Sequence, residues 1–380
     1  MTTVFFINGT LMGSWASHLP FIKARLGVSE GEIALGLLVM AAGAIATMLI
    51  SGPLNDRLGS DRICRMATIA FLVTVSLPLV APTFAWFLVA QLLIGASNGA
   101  MDVAMNANGV AVERQTKRLI MSRVHGFFSL GNVAGAGTSA IAYVTGLGAY
   151  GHMVVIVPVV ALLAARSLPH LVSSAADPKL SSDGPAPIIA LPTGPLLPLA
   201  LLTVLAFVCE GAMFDWSAIY LRESLLTSPA IAAAGFACFS VAMAVMRLGG
   251  DMLAERFGRE GVLIGGAWVA FAGYAVALAT EASLVTILGF SLIGAGVANI
   301  VPILFARAGS LAAVRQGTAV AAVATAGYGG ALSGPAFVGF LAEFTSLRLA
   351  LAVVALGALV VALAAPRILR RRGQPARATP

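Results

Sequence analysis

Charge is what this chain has least of. Of its 380 residues, 10% are Asp, Glu, Lys or Arg and 59% are hydrophobic, with a mean hydropathy of +0.95. A soluble domain carries about 25% charged residues. A chain so poor in charge cannot clothe itself in a polar surface, which excludes a soluble globular protein and points to an all-α integral membrane protein. Cysteine is also scarce. Cys64, Cys209 and Cys238 fall in apolar segments without metal-ligand spacing and read as small packing residues. No nucleotide-binding loop, metal cluster or nucleophile with a paired base is evident, so no enzyme, cofactor or metal is expected. The net charge of +7 is assigned below to membrane orientation, not to nucleic acid.

The charges occur in clusters separated by apolar runs of about 20 residues, the length of a bilayer-spanning helix. Twelve spans are predicted, over residues 3–22, 31–54, 63–81, 84–112, 119–146, 151–167, 196–222, 229–249, 261–280, 284–306, 316–342 and 346–366. The first twenty residues lack a basic leader and an A-x-A site, so they read as span one and not as a signal peptide. The Pro- and Ser-rich stretch 168–195 reads as a linker between bundles 1–167 and 196–366, and 367–380 as a basic tail. With the N-terminus in the cytoplasm, nineteen of the 23 Lys and Arg fall on the cytoplasmic side. The exceptions are Lys23, Arg25, Arg222 and Arg348. That asymmetry places both termini inside.

The two halves repeat. LNDRLG begins at Leu54 and LAERFG at Leu253, and Gly131 of span five aligns with Gly330 of span eleven at the same offset. Span one, FFINGTLMGSWAS, resembles span seven, FVCEGAMFDWSA, at nearly that offset.

The stretch GPLNDRLGSDR, Gly52 to Arg62, resembles the G-x-L-x-D-R-x-G-x-x-R signature between spans two and three of the major facilitator superfamily. Gly52, Leu54, Asp56, Arg57, Gly59 and Arg62 match it, and a degraded copy carries Asp251 in the first position. The resemblance implies twelve helices in two pseudo-symmetric six-helix bundles and transport by alternating access, with spans one, four, seven and ten around a central cavity. It is carried by a bacterial inner-membrane type of protein, acting as a monomer in lipid. Physically, Asp56 sits where a carboxylate can cap amides or pair with Arg57, Arg62 or Arg114, forming a latch on the cytoplasmic side. The competing reading is that these charges only set topology.

Span four carries a polar stripe: Gln91, Gly95, Asn98, Asp102, Asn106, Gly109 and Glu113. Steps of three and four put all seven on one helical face, over roughly 33 Å. Facing lipid, a central carboxylate is unfavourable by about 2.5–3.5 kcal/mol. The stripe therefore faces a cavity, or a helix–helix seam with Asn as glue. Glu210 is the second deep carboxylate and the expected cavity group, whereas Asp215, five residues on, is expected at an interhelical or outer-rim contact. Span one adds Asn8, Trp15 and His18. His18 is a candidate titrating group or a plain interfacial histidine. Span ten adds Asn299.

Asp102 and Glu210 are the candidate proton carriers. Asn8, Asn98, Asn106 and Asn299 offer paired donors and acceptors, and Trp15 a flat face, which suits a neutral sugar-like solute. No Lys or Arg is expected at mid-membrane depth, which argues against anionic substrates. Departures from the drug-exporter motifs, Gln91 in place of a span-four Arg and Gly135-Ala136-Gly137 in place of Gly-Pro, argue against drug efflux. The Asn-rich span four is distantly similar to the fucose/galactose/glucose permease branch. Proton-coupled symport of a neutral polar solute is the leading expectation. Export of cationic or amphipathic compounds is the alternative, and a non-transporting sensor is a third.

Overall fold

The computed structural model describes residues 1–117, 120–173, 192–194, 196–309 and 316–370. Every regular element among them is helical. Most of the expected linker and all but the first residues of the tail lie outside that set.

Helices form at all twelve predicted positions. Span one runs Thr2–Ser17, breaks at His18 and resumes over Leu19–Leu26. Spans two to six are Glu30–Leu58, Ser60–Thr74 with Leu77–Val80, Phe84–Thr116, Met121–Val144 and Gly148–Ser167. Span seven is Leu196–Ile219, extended by a π-helical turn to Ser224. Span eight is Pro229–Leu248, followed by the short Gly250–Phe257. Spans nine to twelve are Arg259–Leu278, Ser283–Val297 with Ile300–Gly309, Gln316–Phe344 and Leu347–Arg370. Among the described residues nine helices are long and apolar enough to cross a membrane.

Local sequence explains the helix boundaries. Ser29 and Glu32 form a reciprocal capping box at the start of span two, with bonds of 3.2 and 2.9 Å. Ser228 caps span eight ahead of Pro229, which has no N–H to orphan. Gly59 (φ 96°, ψ 139°) turns the chain between spans two and three, and Gly258 (φ 73°, ψ 151°) does the same between eight and nine. Both lie in a region where side chains are strained. The sequence repeat is therefore a repeat of backbone geometry.

The repeat extends to packing. A Cβ on Gly131 or Gly135 of span five would strike the backbone of span one, and one on Gly330 or Gly334 of span eleven would crowd Val204 or Val208 of span seven. Small residues at equivalent places let equivalent helix pairs touch. The lateral surface is apolar, with Ile45, Val73, Val144, Val154, Leu201 and Leu284 exposed. With every helix satisfying its own backbone, that is a surface suited to lipid.

At the end of the molecule away from the chain termini the two halves are tied together. Lys23 Nζ contacts Glu223 Oε2 at 2.5 Å and Glu30 Oε1 at 3.2 Å. The Gly31 N–H donates to Glu343 Oε2 at 2.7 Å, so a carboxylate of span eleven sits on the N-terminus of span two. Burial of Lys23 opposes its charge, but Glu223 and Glu30 outweigh that and hold its ammonium above the ordinary lysine range. The Gly31 amide, followed by the Ser29 hydroxyl, holds the exposed Glu343 carboxyl below its usual range.

Candidate functional site

A cavity of about 250 Å³ lies between the halves. Its apolar wall includes Phe128, Phe207, Phe214 and Phe239 with Met12, Met40 and Met243, and its polar groups are Ser129, Asn132, Glu210, Asp215, Ser240 and Arg247. These come from spans one, two, five, seven, eight and eleven.

Glu210 is on the cavity wall as expected, but it is not free. Arg247 Nη2 donates to both of its oxygens, at 2.8 and 3.0 Å. The expectation of no deep basic residue is corrected. Arg247 belongs to the last turn of span eight, and its long stem carries the guanidinium into the cavity. The physical reason lies partly in span ten. Pro302 has no N–H, so the carbonyl of Ala298, four residues earlier, has no helical partner. The helix breaks at Ala298 and Asn299, and Arg247 Nε donates to that Ala298 carbonyl at 3.1 Å. Arg247 Nη1 also reaches Ser129 Oγ of span five at 3.5 Å, across the boundary between the halves.

Asp215 lines the same cavity, which corrects the expected rim position. Glu210 and Asp215 point about 140° apart around span seven, and the cavity wraps far enough around that helix to meet both. Asp215 is 6% exposed and has no hydrogen bond or ion pair among the described residues. With Glu210 held by Arg247, it is the carboxyl of the cavity that has no partner. Asn132 also presents a buried Oδ1 without a partner. No period or motif along the chain marks Asn132, Ser240 or the Phe and Met wall as cavity residues.

The other expected site residues are mostly satisfied by one another. Asn8 Nδ2 donates to Asn98 Oδ1 at 2.9 Å, joining spans one and four. Asn106 Nδ2 folds back onto Asp102, to its carbonyl at 2.9 Å and its Oδ1 at 3.3 Å. Asn299 Nδ2 donates to the Met246 carbonyl at 2.8 Å, bracing the break in span ten against span eight. Trp15 is fully buried in the core, so it offers no face to a solute. None of these six, Asp102 included, lines the described cavity.

The stripe of span four divides among several neighbours. A Cβ on Gly95 would collide with the Met40 carbonyl of span two, so this part is a helix seam. Gln91 is fully buried, and its amide has no hydrogen-bond partner among the described residues. Glu113 Oε1 accepts from the N–H groups of Ile120 and Met121 at 2.5 and 2.9 Å and caps span five. Asp102 and Asn106 are half-buried, as are Asn98 and Glu113. Of the expected cytoplasmic gate, Arg57 and Arg62 are exposed and Gly59 makes the turn. The side chains of Asp56 and Arg114, and Gly52, lie outside the described residues.

His18 is fully buried, not interfacial. Its Nδ1 is 3.0 Å from Tyr143 Oη, and its Nε2 is 2.9 Å from His152 Nδ1.

Comparison with known proteins is consistent along the whole chain. The family model of the Major Facilitator Superfamily matches residues 1–225 and, a second time, 199–380. An uncharacterised MFS-type transporter of Yersinia pestis is 36% identical over 368 residues, 96% of this chain and 94% of that one. Membrane protein MosC of Rhizobium meliloti is 33% identical over 373 residues, 98% of this chain and 90% of that protein. Among solved structures, a mutant form of the nucleoside transporter NupG superposes with a TM-score of 0.78 at 13% identity, covering 97% of this chain and 98% of that one. A bacterial homologue of the human lysosomal transporter Spinster, inward-facing and occupied, gives 0.72 at 15% identity, over 99% and 97% of the two chains. At such identities these structures speak for the fold alone. A signature loop, two halves repeating in backbone and packing, a cavity between them and a match over both halves make the chain a member of the Major Facilitator Superfamily, a multi-pass membrane transporter.

Proposed function

We propose that the chain is a proton-coupled secondary transporter for a small solute with an apolar or aromatic body and a positively charged or proton-donating group. The observation that carries this reading is Asp215, an unpaired carboxylate on a wall of Phe and Met, beside a Glu210 already held by Arg247. When Asp215 is ionised, two carboxylates against one guanidinium leave the cavity with one negative charge, which disfavours anions and attracts a cation. An ammonium-bearing aromatic ligand would meet both the charge and the ring faces. Asp215 would then take a proton when the solute leaves, making proton and solute alternatives at one group, the logic of antiport. Asp102 remains a second carboxylate for coupling, whereas Glu210 serves as an anchor for Arg247.

In this reading the protein is a monomer in the bacterial inner membrane with both termini cytoplasmic. Bundles 1–167 and 196–366 rock about the cavity, and Gly52, Asp56, Arg57, Gly59, Arg62 and Arg114 form the cytoplasmic gate. The ties of Lys23 and Glu343 then hold the outer end shut. Symport of a neutral sugar-like solute is the second reading. It is favoured by Asn132 Oδ1, a buried acceptor without a partner, beside Ser129 and Ser240.

The test is thermal stability of the purified protein with small aromatic amines set against neutral sugars and polyols. A ligand at 100 times its Kd stabilises by about 2.7 kcal/mol. Amines should raise Tm in the wild type and not in Asp215→Asn. Sugars that raise Tm equally in both, with no response to amines, would replace this reading with the second.

A further inference from the structure

Four polar side chains in the N-terminal half are hydrogen-bonded in a single file, away from the cavity just described. Tyr143 Oη lies 3.0 Å from His18 Nδ1, His18 Nε2 lies 2.9 Å from His152 Nδ1, and His152 Nε2 lies 2.9 Å from Thr138 Oγ1. His18 is 0% and His152 4% exposed. Sequence spacing gives no hint of the file, because its members come from spans one, five and six.

The direction of every bond follows from one end. The Thr138 hydroxyl gives its only hydrogen to backbone carbonyls, Ala134 at 2.6 Å and Gly135 at 3.2 Å. Toward His152 it can only accept, so His152 carries hydrogen on Nε2 and has a bare Nδ1. His18 must then donate from Nε2, leaving its Nδ1 bare to accept from the Tyr143 hydroxyl. The result is a neutral, fully satisfied chain with one polarity.

That chain can take a proton at its far end without losing a bond. A hydronium at Tyr143 gives its proton to Oη, and the original Tyr143 hydrogen passes to His18 Nδ1. The hydrogen on His18 Nε2 passes to His152 Nδ1. Tyr143 and His18 end neutral, His18 in the opposite tautomer, and His152 is an imidazolium donating to His18 and Thr138. One proton has entered, no electrons have moved, and all contacts persist: the two bonds of His18 reverse their polarity and the one from His152 to Thr138 keeps it.

Tyr143 lines a second, smaller cavity of about 90 Å³ with Ser17, Phe21 and Ala24 of the N-terminal half and Arg222 and Pro229 of the C-terminal half. This cavity sits between the halves at the end tied by Lys23. Arg222 donates to the Thr227 carbonyl at 2.5 Å and has no carboxylate partner among the described residues. Its positive charge faces the Tyr143 end of the chain and opposes a proton there while the halves are together. Other charged or titratable groups at this end are Lys23 with Glu30 and Glu223, Arg25 on the Pro78 and Ala81 carbonyls, Glu32 in its capping box, Arg348 at 3.9 Å from Glu281, Glu343 on the Gly31 amide, and Tyr150, whose ring meets Phe21 and whose hydroxyl donates to the Leu79 carbonyl.

We propose that Tyr143, His18, His152 and Thr138 form a one-proton store in the N-terminal half, filled through Tyr143 when the two halves part at the Lys23 end. Parting removes Arg222 and admits water to Tyr143. The stored charge and Arg222 then repel each other and favour the parted state. The use of the stored proton for transport rests on the proton-coupled reading above. Its uptake does not, and it is measured with no solute present, so failure of the amine test leaves this proposal standing and its own failure leaves that reading standing.

The probe is the proton. Nitrogen NMR of histidine-labelled full-length protein should resolve the chain's four histidines. Between about pH 8 and pH 5.5, His18 should switch tautomer as His152 becomes charged, in one step. Independent titration of the two, or no change in either, overturns the proposal, and this arm needs no variant. In a second arm, spin labels at exposed positions 27 and 226 report the separation of the halves. Acidification should raise the population at long distance severalfold in the wild type and not in His18→Gln with His152→Gln. A response that survives in that double variant assigns the pH sensing to Glu30, Glu223 or Glu343 and overturns the store.

Discussion

Replacing Arg247 by Met should destabilise the protein more than replacing Arg247 and Glu210 together. Arg247 does three things: it grips Glu210 at 2.8 and 3.0 Å, fills the bond that Pro302 denies the Ala298 carbonyl, and reaches Ser129. Removing one partner of a buried pair leaves an uncompensated charge, which costs about 3–5 kcal/mol. Side-chain exposures of 24% and 21% admit some solvent, so the lower end, about 3 kcal/mol, applies. Scaling unfolding entropy by chain length makes that a fall in Tm of about 4 °C. In Glu210→Gln with Arg247→Met the orphaned charge is gone, and an apolar replacement of a buried pair is often close to neutral. What remains is the unpaired Ala298 carbonyl, worth about 1–3 kcal/mol. Thermal melting of wild type, both single variants and the double in one detergent closes the cycle. If Arg247→Met melts no lower than the double variant, Glu210 is not relying on Arg247 for compensation and the charge assignment of the cavity is wrong.

Lys23 contributes through a raised affinity for its proton in the folded state. Its stabilisation is therefore complete below the ordinary lysine value near 10.5 and is lost as pH rises through the higher folded value. Melting curves above pH 10 should show a loss that Lys23→Met abolishes. At Gly59, with φ 96°, Gly59→Ala should lower stability by about 1 kcal/mol through backbone strain. Gly258→Ala should match it, and unequal melting shifts would argue against the equivalence of the two turns.

Much of the fold was legible because a bilayer makes simple demands. A spanning helix needs length and apolarity, and both are properties of a continuous stretch of chain. The twelve helices therefore lie within a few residues of their predicted positions, and the repeat of Leu54–Gly59 in Leu253–Gly258 marks two glycine turns of the same geometry. Glu210 was legible for a related reason, since a carboxylate deep in an apolar helix has to face protein or water.

The site was only partly legible, because periodicity shows which face of a helix is polar and not what that face meets. The face of span four holding Gly95, Asn98 and Glu113 is consumed by span two, by Asn8 and by the start of span five. Arg247 stood near a span end by counting residues, yet it enters the cavity because its stem is long and a proline elsewhere frees a carbonyl for it. Asp215 became a cavity group through the breadth of a space bounded by several helices. His18 and His152, 134 residues apart, are neighbours only after three helices pack. By itself the sequence determined the helical segments, the repeat and the family, all of which follow from local composition or short motifs. Only the tertiary structure decided which polar groups are spent on one another and which, Asp215 and Asn132 Oδ1 among them, are left on the cavity wall without a partner, because that depends on distances between residues far apart in the chain.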